Sequence, residues 1–152
     1  MISIRNATLN DLEELSVLFD LYRQFYKQPS EIEKVKSFLS ERITNKESVI
    51  YVSEEDGEYN GFVQLYPVFT SVGMKRLWLL NDLFVKADQR KKGIARKLID
   101  KSKALAMDTN ASGLLLETSK TNTEGNKLYP SEGFILKDEA NFYFWKNGES
   151  KE

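Results

Sequence analysis

Neither cysteine nor histidine occurs in the 152 residues. Without cysteine there is no disulfide, no thiol nucleophile and no thiolate metal site. Without histidine there is no imidazole-bound zinc and no Ser-His-Asp triad. No metal site is expected, and catalysis would fall to carboxylates, tyrosine, lysine, backbone dipoles or a carried cofactor. Three prolines and eight glycines are too few for a disordered or fibrous chain. Charge of one sign is lacking too. The 22 basic and 23 acidic residues leave a net charge of −1, with no global pull toward nucleic acid or an anionic membrane. No run approaches the roughly 18–20 apolar residues of a membrane span. The start, Met1-Ile2-Ser3-Ile4-Arg5-Asn6, has neither the long apolar run nor the cleavage site of a signal peptide. The expectation is a cytoplasmic protein that binds neither nucleic acid nor membrane. This length predicts a single domain over 1–152.

Apolar spacing then predicts the elements. Ile2 to Arg5 alternates as a short strand. Thr8 with Asp11 reads as a reciprocal helix cap, followed by Leu9, Leu12, Leu15, Leu18, Phe19, Tyr22 and Tyr26 at helical spacing. Ser30 with Glu33 reads as a second capping box before Ile32, Val35, Phe38, Leu39 and Ile43. Ser48 to Ser53 and Tyr59 to Phe69 read as a hairpin around Glu55-Asp56-Gly57-Glu58. Lys75 to Lys86 is a strand apolar enough to be buried on both faces. A helix from about Lys92 to Asp108, a strand at Leu114-Leu115-Leu116 and a short helix from Asn122 to Leu128 follow. Pro130 sets the last limit, because proline disfavours helical backbone at the residue before it. Phe134 to Leu136 and Ala140 to Trp145 read as two closing strands. The order β-α-α-β-β-β-α-β-α-β-β is that of an α/β domain, a mostly antiparallel sheet with one parallel crossover.

Four features have the composition of sites. Gln89-Arg90-Lys91-Lys92-Gly93-Ile94-Ala95-Arg96 runs from a buried strand into a helix start. Free N–H groups, the helix dipole and four cationic side chains there suit a phosphate. The Walker and dinucleotide glycine fingerprints are absent. Asn81-Asp82 interrupts the apolar strand. It is either a β-bulge or Arg-paired acid, or a base or acceptor-orienting group opening into a cleft. Tyr129 is either a core aromatic or an acid. Phe142-Tyr143-Phe144-Trp145 is a buried strand, with a second use as the wall of a cleft or dimer contact.

Together these segments resemble the GNAT superfamily of acetyl-CoA-dependent N-acetyltransferases. Arg90-Lys91-Lys92-Gly93-Ile94-Ala95 fits the family's Q/R-x-x-G-x-G/A motif. Asn122, Gly125, Leu128-Tyr129 and Gly133-Phe134 fit its N-x-x-[A/G]-x-x-L-Y…G-F ending. Trp78-Leu79-Leu80-Asn81-Asp82-Leu83-Phe84-Val85 and Tyr22-Arg23-Gln24-Phe25-Tyr26 resemble the histone/polyamine and spermidine/spermine (thialysine) branch.

The resemblance implies a mixed sheet of about seven strands flanked by four helices. It implies acetyl-CoA as co-substrate, a small-molecule amine acceptor and a homodimer. The pantetheine arm would pair with the backbone of Leu83, Phe84 and Val85, and the pyrophosphate would rest on the amides of Lys91 to Arg96 beside Arg90. Asn122, with Gly125 in the small position, would meet the pantetheine. Tyr129 would protonate the leaving thiolate. The branch often carries Glu where this chain has Asn81, and Asn cannot be a base, so Asp82 or a water held near Asn81 takes its place, or the acceptor arrives neutral. Direct transfer from a thioester needs no enzyme nucleophile, which accords with a chain free of Cys and His. Asn81 and Pro130 also motivate an alternative, a non-catalytic acyl-CoA-binding module on the same fold.

Overall fold

The alternating start of the chain folds as β1 (Ser3–Asn6), and its partner is the strand predicted from Ser48, β2 (Val49–Glu55). The computed structural model describes residues 1–149. β3 (Glu58–Thr70) and β4 (Lys75–Val85) continue the antiparallel order, and β5 (Leu114–Leu115) lies parallel to β4. The five strands lie in chain order across one sheet. The helices are α1 (Leu12–Phe25), α2 (Ile32–Thr44), α3 (Ile94–Asp108) and α4 (Thr123–Ser131). Met1–Glu117 is one compact unit, and the residues from Thr118 onward, which include α4, are another. No helix among the described residues is long and apolar enough to cross a membrane.

The first cap forms as spaced. Asp11 accepts from the Thr8 amide at 2.8 Å, and Thr8 accepts from the Asn10 amide at 3.2 Å, at the head of a 3-10 turn leading into α1. The second does not. Ser30 donates its hydroxyl to Asp20 at 2.6 Å instead, and α2 starts after Glu31 without a side-chain cap. Leu15, Leu18 and Phe19 of α1 and Val35 and Leu39 of α2 pack on Ile50, Val52, Phe62 and Phe84. That cluster covers one face of the sheet.

The other face lies under α3. Trp78 Nε1 donates to Thr109 Oγ1 at 2.9 Å, and Ile94 and Leu98 meet β3 at Gly61. A Cβ at Gly61 would sit 2.9 Å from the Phe84 carbonyl oxygen, 3.3 Å from Ile94 Cγ2 and 3.4 Å from Leu98 Cδ1. Gly61→Ala is therefore expected to cost about 1–3 kcal/mol through overpacking. A urea midpoint equal to that of the parent protein would show that α3 moves aside freely.

The sheet has five strands, not about seven. Phe134 to Leu136 and Ala140 to Trp145 form no strand, and no described residue after Leu115 belongs to a sheet. Ile135, Leu136, Phe142, Tyr143, Phe144 and Trp145 are exposed, against the expectation of a buried aromatic strand. Aromatic and β-branched content suits a segment to a pleated surface, but a strand exists only through its ladder bonds to a neighbour. β5 is likewise short: its ladder stops at Leu115 and leaves Leu116 out.

Candidate functional site

β4 carries a bulge at its centre. Asp82 opposes Gln64, but the next pair is Leu80 with Leu65, so Asn81 has no partner on β3. One extra residue turns the side chains on its two sides to opposite faces. Leu80 faces away from the side shared by Gln64, Phe62 and Phe84, and Asp82 stays on that side, toward α1. The bulge offered as one reading of Asn81-Asp82 is present, and Asp82 is buried at 5% exposure.

The Asp82 carboxyl is held by neutral donors. Gln64 Nε2 donates to Oδ2 at 2.8 Å, Asn81 Nδ2 donates to Oδ1 at 3.1 Å, and the Tyr22 hydroxyl adds a third bond. Behind them, Ser48 Oγ donates to Gln64 Oε1 at 2.8 Å. Burial pushes the carboxyl above the usual carboxylate range, and the bonds from Gln64, Tyr22 and Asn81 offset part of the rise. The sequence reading singles out neither Gln64 nor Ser48. A lone polar residue inside Phe62-Val63-Gln64-Leu65 is the signal for Gln64, and nothing marks Ser48.

Two other acids of this region are committed to structure. Burial would raise the Asp20 carboxyl, but bonds from Ser30, the Glu31 amide and Gln24 outweigh it and hold it below its ordinary value. Asp20 thus ties α1 to the start of α2. Glu31 is held low by Lys34 and Arg23. Among the described residues no group of three or more carboxylates gathers that could hold a metal ion.

Among the described residues no strand pairs with the edge of β4 away from β3 beyond Leu79. β5 pairs only with Trp78 and Leu79. The Lys86 amide donates to the Asn60 carbonyl at 2.9 Å, which sets the alternation. Lys86, Phe84 and Asp82 therefore direct their backbone groups to β3, and Leu83 and Val85 direct theirs to the open edge. Phe84, named with them as a backbone ligand, spends its amide and carbonyl inside the sheet. Arg90 Nε takes the Val85 carbonyl at 3.0 Å, and its guanidinium lies 5.6 Å from the Phe25 ring centre and 6.0 Å from that of Phe84.

The open edge leads into the start of α3. Lys91 (φ 65°) and Gly93 (φ 80°) both take left-handed backbone around Lys92. Gly93 is the N-cap residue and no side chain caps the helix. The amides of Ile94 and Ala95 therefore point out of the helix end with no cap from Gly93. Ile94 is buried, so only its backbone serves there. Lys92 donates to Gln89 Oε1 at 2.8 Å and lies 3.7 Å from Glu55. An anion with several oxygens fits these donors.

In the second unit, Asn122 caps α4. Its Oδ1 accepts from the Gly125 amide at 3.1 Å, and its Nδ2 donates to Thr118 Oγ1 at 2.8 Å. A Cβ at Gly125 would lie 2.9 Å from Asn122 Cγ, so the small residue makes room for the cap. α4 does not end at Leu128. It runs to Ser131 with Pro130 inside, because a proline one residue from the end removes only one helical bond. Gly133 (φ 90°) then turns the chain, and the Phe134 amide bonds to the Tyr129 carbonyl at 3.0 Å. Half-buried Tyr129 meets Phe134 edge-on, ring centres 5.7 Å apart.

Comparison with known proteins gives matches over most of the chain. The model of the acetyltransferase (GNAT) family matches residues 15–134. The uncharacterized N-acetyltransferase YhfO of Bacillus subtilis is 42% identical over 132 residues, 87% of this chain and 89% of that protein. A crystal structure of a probable acetyltransferase superposes with a TM-score of 0.91 at 38% identity, over 97% of this chain and 99% of the other. A predicted acetyltransferase from Clostridium acetobutylicum, solved with acetyl-CoA, shares the fold at 20% identity and a TM-score of 0.76, over 95% of this chain and 96% of the other.

Proposed function

The chain belongs to the GNAT acetyltransferase family, and from that premise we propose that it transfers the acetyl group of acetyl-CoA directly to a primary amine in a ternary complex. One observation carries the reading: the open edge of β4 runs into an uncapped helix start on the same stretch that holds a buried carboxyl. The family match spans both compact units, which supports treating 1–152 as one acetyltransferase domain.

Acetyl-CoA supplies the activated thioester. In this proposal the edge-facing backbone groups of Leu83 and the amide of Val85, whose carbonyl accepts from Arg90, hold its pantetheine. The amides from Lys91 to Arg96, with the charges of Arg90, Lys91, Lys92 and Arg96, hold the pyrophosphate. By the family resemblance, Asn122 contacts the pantetheine arm. Asp82 takes the proton of the ammonium, whose pKa is near the lysine value of about 10.4. The raised Asp82 pKa narrows that gap and makes the carboxylate a better base. The Leu83 N–H steadies the oxyanion, and Tyr129 returns a proton to sulfur.

Acceptors of the polyamine, small-amine and lysine classes all present a primary amine. The commitment of Asp20 and Glu31 to structural bonds favours an acceptor with a single amine over a polycation. The non-catalytic alternative loses the support it drew from Pro130, since α4 runs through it, and relatives of this chain carry the name N-acetyltransferase. A homodimer belongs to the proposal by resemblance, and light scattering tests it.

Calorimetry with acetyl-CoA, and with inorganic phosphate as control, tests the cofactor. Micromolar binding, about −8 kcal/mol, is expected. Release of free thiol is then followed with n-butylamine, spermidine and a lysine peptide. Tyr129→Phe should slow the best of these by about 10²-fold or more, with acetyl-CoA affinity kept. Folded protein that binds no acetyl-CoA would overturn the reading, and an unchanged rate in Tyr129→Phe would remove Tyr129 from it.

A further inference from the structure

Gln64 is buried to 0% exposure, yet it carries two hydrogen-bonding groups, and both are used. An ionised carboxylate only accepts, so Gln64 must turn Nε2 toward Asp82 and Oε1 away. Ser48 supplies the donor that Oε1 then needs. The three side chains form one directed chain from Ser48 to Gln64 to Asp82. It crosses from the residue before β2 through β3 to the bulge on β4. Had the carboxamide the opposite orientation, two acceptors would face each other in a buried site, a costly arrangement.

We propose that Gln64, oriented by Ser48, is a positioning residue that aims the Asp82 carboxylate and keeps it ionised for proton abstraction. The inference rests on the reading of Asp82 as base. The Asn81 bulge gives the reason such a device is needed. A bulge leaves its strand without a regular ladder bond at that residue, so the backbone alone holds Asp82 less firmly than a regular strand would. The groups facing Asp82 are the Tyr22 hydroxyl from α1, the neighbouring Asn81, and Tyr66 from β3, which feels the Asp82 charge. Arg42 and Glu47 act on Tyr66 from the end of α2 and the turn beyond it. Gln64 supplies the first of the bonds that favour the ionised form against burial.

The test is a carbon-13 NMR titration of the carboxyl resonances in the full chain, with Asp82 assigned by its loss in Asp82→Asn. Gln64→Met keeps volume and removes the donor. The Asp82 midpoint should move up by about one pH unit, since a hydrogen bond to a charged group is worth roughly one to two units. Ser48→Ala should move it in the same direction by less. The acid limb of acetyl transfer to the fastest amine of the panel should move with the midpoint. Midpoints unmoved in both variants overturn the inference. If Gln64→Met does not fold, Ser48→Ala decides alone, because Ser48 is half-buried and outside the sheet core. An acid limb that persists in Asp82→Asn overturns the base assignment itself, separately from the role of Gln64.

Discussion

Asp82→Asn should lower the rate of acetyl transfer by about 10²–10⁴-fold, the range for loss of a positioned general base. The substitution keeps volume and still lets Gln64 Nε2 donate to a side-chain oxygen. Stability should move the other way. The folded Asp82 pKa lies above its unfolded value near 3.9 because the carboxyl is buried. Below the unfolded value the group is protonated in both states and costs nothing in charge burial. As pH rises through the raised folded value, the ionised form is buried and stability is lost. Asn removes that loss. The melting temperature of the variant should match the parent near pH 4 and equal or exceed it at pH 8. A variant that keeps full turnover would remove Asp82 from the chemistry. One that melts far lower at pH 8 would mean the carboxylate is structural.

Arg5→Met should destabilise the fold through the acid it leaves behind. Arg5 grips Asp11 with two bonds, 2.9 and 2.8 Å, and also donates to Glu54 at 3.2 Å and Tyr59 at 3.1 Å. Asp11 is 3% exposed and caps the first helix, so losing Arg5 strands a buried carboxylate. Breaking such a pair costs about 3–5 kcal/mol. The Arg5 side chain is 41% exposed, so solvent screening favours a loss of about 3 kcal/mol or less. At roughly 2–4 °C per kcal/mol for a chain this long, the melting temperature should fall by up to about 6–12 °C. The Arg5 bonds, aided by Tyr59 and the Thr8 amide, hold the Asp11 carboxyl well below the usual range. This contribution is present above the unfolded pKa of about 3.9 and is lost as pH falls through the depressed folded value. In Arg5→Met the acid loss should begin at higher pH. A fall of under about 2 °C would class the pair with weak surface ion pairs.

Much of the fold was legible because it is written in local periodicity. α1 and α3 lie where their apolar stripes fall, and the Thr8–Asp11 cap closes as its spacing predicts. Ser30 shows the limit. Its spacing to Glu33 fits a cap, but a buried carboxylate at Asp20 is a stronger acceptor for its hydroxyl. Pro130 shows another. A rule about one residue's backbone preference yields when the missing bond falls in the last turn.

Residue types and their spacing set which chemistries are available. The absence of Cys and His, the basic loop around Gly93 and the Asn122-to-Phe134 ending are matters of residue type and spacing. What Asp82 faces, which backbone groups of β4 turn away from β3, and that Phe142 to Trp145 make no ladder depend on how distant segments meet. A bulge of one residue reverses every side chain beyond it, and a strand is a relation between two segments. Neither the reversal nor the partner is encoded at any one position of the chain.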